Sequence, residues 1–121
     1  MTPFSGMADD LKLMNWLNGY ISSMDNRFVD PAFIKTGSEL ACWEMIRGGT
    51  ITFVDMYFYP DTIAEVVELC GFRALIASSS INSPSPGFKG WDDSFQAAID
   101  FLVRWKDKYE PIIPAFAPHS P

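Results

Sequence analysis

The stretch "TITFVDMYFYPDTIAEVVELCGFRALIASS", residues 50–79, changes its apolar pattern twice. Residues 50–58 are rich in β-branched and aromatic side chains, which is typical of a strand. Residues 60–72 repeat apolar side chains at the i, i+3, i+4, i+7 spacing of one helix face, and Gly71 marks the end of that helix. Residues 73–79 form a second short apolar run. The order strand, helix, strand predicts two parallel strands joined by a right-handed crossover.

The same alternation continues toward the end of the chain. After a loop rich in Ser, Pro and Gly at residues 80–90, residues 91–110 predict a long helix and residues 112–117 predict a third apolar strand. Near-continuously apolar strands separated by helices indicate an α/β fold with a parallel sheet covered by helices. The long helix is predicted to turn five side chains inward: Phe95, Ala98, Ile99, Leu102 and Tyr109.

Two helices are predicted before the first strand. Residues 9–24 have an apolar spacing near 3.6, and the acidic pair at their start suits the positive end of a helix dipole. Residues 30–49 form a stronger candidate, with Asp30 as N-cap, Pro31 at the first position and glycines at the end. The predicted inward side chains of the first helix are Leu11, Met14, Leu17 and Ile21. Those of the second are Phe33, Gly37, Leu40, Ala41 and Glu44.

Length and composition limit the class of protein. The chain has 121 residues, 48% of them hydrophobic, which is enough for one domain with a single core. A net charge of −6, with nine scattered Lys and Arg, argues against a nucleic-acid partner. No apolar run approaches the length of a membrane span and no signal peptide is visible, so a cytoplasmic protein is expected. Cys42 and Cys70 are interpreted as reduced, small core residues.

Polar side chains near predicted strand ends are the candidates for chemistry, because ligands gather at the carboxyl ends of parallel strands. His119, the only histidine, ends the third strand between prolines; it contacts a ligand or lies exposed on a tail. Asp55 can bind a metal or accept a phosphoryl group, or it can cap a loop. Trp16 can stack on a flat ligand or pin its helix to the core. The aromatic cluster at residues 56–59 packs under a loop or lines a pocket.

Several familiar signatures are missing from the sequence. It contains no His-x-His, CxxC, GxGxxG, P-loop or GxSxG motif. With a single histidine, the chain cannot assemble a histidine-rich metal centre by itself.

Three stretches nevertheless resemble the amidohydrolase superfamily: "GMADDLKLMNWLNGYI", "GSELACWEMIRGGTITFVDMYFYPD" and "PAFAPHSP". They are most similar to the branch of 5'-methylthioadenosine/S-adenosylhomocysteine deaminases and related chlorohydrolases. The resemblance implies a (β/α)8 barrel, of which residues 1–121 form a partial catalytic domain with roughly strands two to four. It implies a divalent metal, zinc or iron, whose ligands lie outside this chain. It also implies a metal-activated water as the nucleophile.

The resemblance also implies roles for three substrate-binding residues and none for catalysis or metal binding in this chain. Trp16 matches a tryptophan that packs against the purine. Asp25 occupies the place of a glutamate that holds the ribose hydroxyls and is one methylene shorter. His119 matches the histidine of the PHSP motif, which contacts substrate. Some members have an arginine near Ser78 that reaches a ligand of the neighbouring subunit, whereas this chain has serine, so adenosine-type specificity does not follow from this position. For the complete enzyme the resemblance implies a homo-oligomer.

The predicted function is therefore hydrolytic deamination of a purine nucleoside or related N-heterocycle by a larger metal-dependent enzyme. The partner is a small-molecule substrate, and neither nucleic acid nor membrane is expected. Because the metal ligands are missing, this chain alone is expected to be inactive. Two alternatives stay open: chlorohydrolase-type dehalogenation in the same superfamily, and a non-catalytic α/β binding domain that uses Asp55 at a strand tip.

Overall fold

The computed structural model describes the backbone of residues 2–120 and the side chains of residues 3–119. Its helices and strands alternate from residue 31 onward. A short 3-10 helix and a π-helical stretch also occur near the start. In chain order the elements are the 3-10 helix Thr2–Phe4, α1 Leu13–Trp16, the π-helical stretch Leu17–Ile21, α2 Ser22–Phe28, α3 Pro31–Gly48, β1 Thr52–Tyr57, α4 Pro60–Cys70, β2 Arg73–Ile81, α5 Trp91–Trp105 and β3 Ile112–Ser120.

The three strands form one parallel sheet in the order β1-β2-β3. Val54 of β1 is opposite Leu75 of β2, which in turn is opposite Ile113 of β3. Helix α4 connects the first pair of strands and α5 connects the second, so the sheet consists of two consecutive strand-helix-strand units. This confirms the predicted α/β class and the parallel arrangement.

Local signals in the sequence explain where α3 and α4 begin and end. The Asp30 side chain accepts a hydrogen bond from the Phe33 amide at 2.7 Å and caps α3, and Pro31 occupies its first turn. Gly49 and Gly71 close α3 and α4 with positive φ angles of 76° and 74°. Gly71 lets the chain turn directly from α4 into the central strand β2.

The core lies between the sheet and the helices α3, α4 and α5. Phe101 and Trp105 of α5 pack over the sheet, and Ile63 and Val67 of α4 do the same beside them. The Trp105 indole Nε1 donates a hydrogen bond to Asp61 at 2.8 Å, which satisfies its one polar atom. Asp61 also pairs with Arg104 at 2.8 Å, so the start of α4 is held to the end of α5.

The inward face predicted for the long helix was wrong. The buried residues of α5 are Ser94, Ala98, Phe101 and Trp105. Of the five predicted residues only Ala98 is fully buried, although Leu102 is half-buried and Tyr109 packs against the core. The helix also ends at Trp105, so Tyr109 lies outside it. The two largest apolar side chains of this stripe, Phe101 and Trp105, bury more surface than Phe95 and Ile99 would, and they set the orientation of the helix.

The first helix also differs from its prediction. The helix α1 starts at Leu13, three residues after Asp10, so Asp9 and Asp10 do not begin it. Met14 is exposed, whereas Ile21 and Asp25 are the buried residues of this region. The helix is interrupted by a π-helical stretch, which widens the turn and changes which residues share a face.

Three smaller predictions need correction. In α3 the buried residues are Ile34 and Cys42, whereas Leu40 and Glu44 are exposed. The strand β2 continues to Ile81, because Ser80 is covered by α5 and the Ser94 hydroxyl accepts a hydrogen bond from the Ile81 amide at 3.3 Å. Both cysteines are free thiols, but only Cys42 is buried.

No helix in the described part of the chain has the length and apolarity that crossing a membrane requires.

Candidate functional site

A cleft of about 260 Å³ lies at the carboxyl end of the sheet, under the helical segment of residues 16–25. It brings together the three residues named from the sequence: Trp16, Asp25 and His119. These residues are up to 103 positions apart in the chain (119 minus 16) and come from different elements. Most of the remaining lining is apolar: Leu17, Ile21, Met56, Phe58 and Ile81. The cleft is therefore suited to a flat apolar ligand with a few polar groups.

His119 reaches the cleft from a β-bulge in β3. Ser80 of β2 pairs with Pro118, and Ile81 pairs with Ser120, so His119 is the extra residue between two register positions. A bulge bends its strand and redirects a side chain, and such bulges are frequent beside active sites. His119 is exposed on the cleft side of the sheet end and is available to a ligand.

Trp16 ends α1, immediately before the π-helical stretch Leu17–Ile21. Its side chain is half-buried and lines the cleft. Single π-helical turns occur frequently at functional sites. The half-buried indole therefore lies where it can contact a ligand in the cleft.

Asp25 is buried, with only 8% of its surface exposed. The Tyr57 hydroxyl donates a hydrogen bond of 2.6 Å to its Oδ1. Burial raises the pKa of Asp25, and the hydrogen bond from Tyr57 opposes that rise. Burial also raises the pKa of Tyr57, followed by the effect of the neighbouring Asp25, so the phenol stays protonated and remains a donor.

Tyr57 and Ser79 were not recognised as site residues from the sequence. Both line the cleft, Tyr57 at the end of β1 and Ser79 near the end of β2. The signal for Tyr57 was the aromatic cluster after the first strand, one interpretation of which was a pocket lining. Its hydrogen bond to Asp25 spans 32 residues, so no local pattern reveals it. Ser79 falls within residues 78–82, a predicted strand end where ligands gather, but nothing in the sequence distinguishes it from its neighbours.

Asp55 does not reach this cleft. Residues 53, 55 and 57 share the half-buried side of β1, and Asp55 lines a separate cavity against α3 with Phe33 and Ala41. Its Oδ2 is buried without a hydrogen-bond partner among the described residues. Burial raises the pKa of Asp55, and the amide of Met56 opposes the rise. The hypothesis of a non-catalytic binding domain placed Asp55 at an open strand tip, and the structure does not place it there.

The residues in the cleft do not fit a metal ion. Within residues 3–119, no group of three or more His, Cys, Asp or Glu side chains lies close enough together to hold one. Asp25 is already bonded to Tyr57, and His119 has no second histidine beside it. The arrangement can bind and orient a ligand, and no chemical step through a metal follows from these residues.

Comparison with known proteins gives many similar sequences. A 5-methylthioadenosine/S-adenosylhomocysteine deaminase of Thermodesulfovibrio yellowstonii is 40% identical over 120 residues, which cover 99% of this chain and 27% of that protein. A 5'-deoxyadenosine deaminase of Methanocaldococcus jannaschii is 38% identical over 122 residues, which cover 100% of this chain and 28% of that protein. The chain thus spans little more than a quarter of these relatives.

Solved structures agree with the sequence relatives. An adenosine deaminase of Xanthomonas campestris with bound zinc has a TM-score of 0.89 and 38% identity, covering 94% of this chain and 26% of that one. An atrazine chlorohydrolase of Arthrobacter aurescens complexed with zinc has a TM-score of 0.69 and 18% identity, covering 89% of this chain and 28% of that one. The second likeness shows a shared fold alone.

The sequence pattern of a single family covers nearly the whole chain. It is described as the amidohydrolase family, and its match runs over residues 2–121. With relatives near 40% identity over the full chain, this match decides the family. The chain belongs to the amidohydrolase family.

Proposed function

We propose that this chain is part of a metal-dependent amidohydrolase that hydrolytically deaminates a purine nucleoside or a related N-heterocycle. Residues 1–121 would form one partial catalytic domain, containing roughly strands two to four of a (β/α)8 barrel. The deaminase names of the relatives near 40% identity support this activity. The parallel strand-helix-strand order supports the barrel segment, because such barrels repeat that unit.

The observation that carries the proposal is the convergence of Trp16, Asp25 and His119 on one cleft. The resemblance to the deaminase branch assigned substrate contact to these three residues. They come from a helix, a second helix and a strand end, which fold together only in the tertiary structure. The cleft lies at the carboxyl end of the parallel strands, where barrel enzymes bind their substrates.

Each of the three side chains suits a different part of a nucleoside. The Trp16 indole offers a flat aromatic face for stacking on a purine. The Asp25 carboxylate accepts hydrogen bonds from sugar hydroxyls. His119 can donate a hydrogen bond to, or accept one from, a polar group of the ligand. The apolar lining between them excludes water from the base.

The divalent metal belongs to the complete enzyme in this proposal. Its ligands would come from residues outside this chain, since residues 3–119 contain no suitable cluster. When bound, such a metal supplies a water of lowered pKa as the nucleophile. The residues of this chain bind and orient the substrate, and the chain alone releases no product. The complete enzyme is proposed to be a homo-oligomer with a small-molecule substrate.

Dehalogenation is the second candidate within the superfamily. The chlorohydrolase likeness is 18% identical and shows the fold alone, whereas deaminases reach 38% to 40%. Deamination is therefore the better supported activity.

The test uses the full-length enzyme with Zn²⁺, and it measures ammonia release from adenosine and 5'-methylthioadenosine and chloride release from atrazine. We expect ammonia from at least one nucleoside and no chloride. We expect His119→Ala and Asp25→Asn to raise KM, whereas the exposed control Leu69→Ala leaves it unchanged. Zinc-loaded enzyme that releases no ammonia from any purine substrate would contradict the proposed function.

A further inference from the structure

The hydrogen bond between Tyr57 and Asp25 is the shortest side-chain hydrogen bond among the described residues. Its length of 2.6 Å is that of a bond in which one partner is charged. It joins the last residue of β1 to helix α2, across 32 positions of sequence. Both residues line the cleft, so the bond lies in the wall that a ligand would touch.

The bond occupies only one oxygen of the carboxylate. Tyr57 donates to Oδ1, and no hydrogen bond from a described residue reaches Oδ2. Asp25 is 8% exposed, and a carboxylate oxygen of such a largely buried side chain gains from a hydrogen-bond donor. A ligand hydroxyl would supply the missing donor.

Strand pairing and ring packing hold the Tyr57 side chain in place. It belongs to β1, which is paired with the central strand along its whole length. Its ring packs against Phe58 with centroids 4.9 Å apart. A phenol at the end of a short, two-torsion side chain therefore sets the rotation of the Asp25 carboxylate.

We propose that Tyr57 is a positioning residue that holds the Asp25 carboxylate so that Oδ2 faces a hydroxyl of the ligand's sugar. This inference rests on the proposed function and adds the residue that controls sugar recognition. The ligand class follows from the chemistry: the carboxylate needs a donor, and a nucleoside sugar provides hydroxyl donors that a free nucleobase lacks. Tyr57 thereby contributes to discrimination between nucleoside and nucleobase.

The bond also has a consequence for pH. The titratable groups that face Asp25 are Tyr57 and His119, and Asp55 lies behind Tyr57 on the same strand. The hydrogen bond from Tyr57 lowers the pKa of Asp25 against the larger effect of burial. Without the phenol, the effect of burial is opposed less, so the pKa of Asp25 rises further and the carboxylate becomes protonated at a higher pH.

The experiment measures the affinity of the full-length enzyme for adenosine and for adenine by calorimetry. We expect Tyr57→Phe to weaken adenosine binding about tenfold, the effect of losing one bond to a charged group, and to change adenine binding less than about twofold. The matched control Tyr109→Phe removes a phenol hydroxyl at the opposite end of the sheet, before β3, and should change neither. The acid limb of adenosine binding should move to higher pH in Tyr57→Phe alone.

A double-substitution cycle separates positioning from folding. Once Asp25→Asn has removed the charge, Tyr57→Phe should add little further loss of adenosine affinity. Equal losses for adenosine and adenine, or unchanged adenosine binding in Tyr57→Phe, would overturn the role of Tyr57 and leave the proposed function standing. A wild-type enzyme that binds neither ligand would overturn both.

Discussion

The two faces of the three-stranded sheet differ in what covers them. On one face Ile76 of the central strand is 0% exposed, under the side chains of α4 and α5. On the other face Val54 and Ile113, which flank Leu75 at the same level, are 74% and 51% exposed. Among residues 3–119, the helical segment over the cleft covers the carboxyl end of this second face and leaves the rest open.

The open face is apolar, although it is exposed within the described residues. Its strand positions hold valine, leucine, isoleucine and alanine, which normally face a core. An exposed apolar patch of this kind is typical of a surface that makes a further contact. Since the chain spans 27% of its deaminase relative, we propose that the remaining barrel strands cover it.

The covered face should account for the largest change in stability. Phe101 is fully buried against the sheet, so Phe101→Ala should lower the free energy of unfolding by about 3–5 kcal/mol. Leu69→Ala, at an exposed position of α4, should change it by less than about 0.5 kcal/mol. Urea unfolding of the full-length protein gives both values, and similar losses for the two variants would contradict the assignment of the core.

The open face gives the second test. Val54→Thr keeps the shape of the side chain and adds a hydroxyl, as does Val67→Thr in the buried part of α4. If the barrel covers the open face, both substitutions should cost about 1–3 kcal/mol in the full-length protein. Urea unfolding in which only Val67→Thr is destabilising would show that Val54 faces solvent in the complete protein.

Much of the fold could be predicted because its signals are local. Apolar runs, the N-cap at Asp30 and the glycines that end α3 and α4 predicted three parallel strands and the helices between them. The orientation of α5 could not be predicted, because Phe95 and Phe101 are equally apolar and only packing against β2 decides between them. The extension of β2 through Ser80 likewise depends on cover from α5.

The site was partly predictable for a different reason. His119 and Trp16 were candidates from their positions in the sequence, and the family resemblance added Asp25; the structure places all three at one cleft. Their roles as substrate contacts remain a proposal. The support from Tyr57 was missed, since it depends on a contact between α2 and β1 that exists only after folding.

The pH dependence of stability tests whether the carboxyl of Asp55 is buried. The pKa of Asp55 is raised above its ordinary value of 3.8, so the folded protein binds more protons than the unfolded chain between 3.8 and the raised value. Its contribution to stability is therefore full below pH 3.8 and is lost as pH rises through the folded pKa. Asp55→Asn should remove a slope of at most about 1.4 kcal/mol per pH unit. If the free energy of unfolding changes with pH equally in the wild-type protein and in Asp55→Asn, this prediction is contradicted.

The smallest expected effect concerns the turn from α4 into the covered face. Gly71 has a φ of 74° and no atom near its would-be Cβ, so Gly71→Ala should cost about 1 kcal/mol through backbone strain alone. Gly48→Ala, in open space with an ordinary φ at the last residue of α3, should be neutral or stabilising by up to about 1 kcal/mol. Thermal unfolding compares the two variants. A change in stability of the same sign in both would count against the turn geometry at Gly71.

The central claim is that the open face is the inside of a barrel completed by other parts of the same protein. The most direct measurement is the coding sequence on both sides of residues 1–121. The account predicts one uninterrupted reading frame that encodes metal-binding residues outside residues 1–121 and further strand-helix units after them. Stop codons on both sides would contradict it, because the exposed Val54 and Ile113 would then belong to the surface of a complete protein.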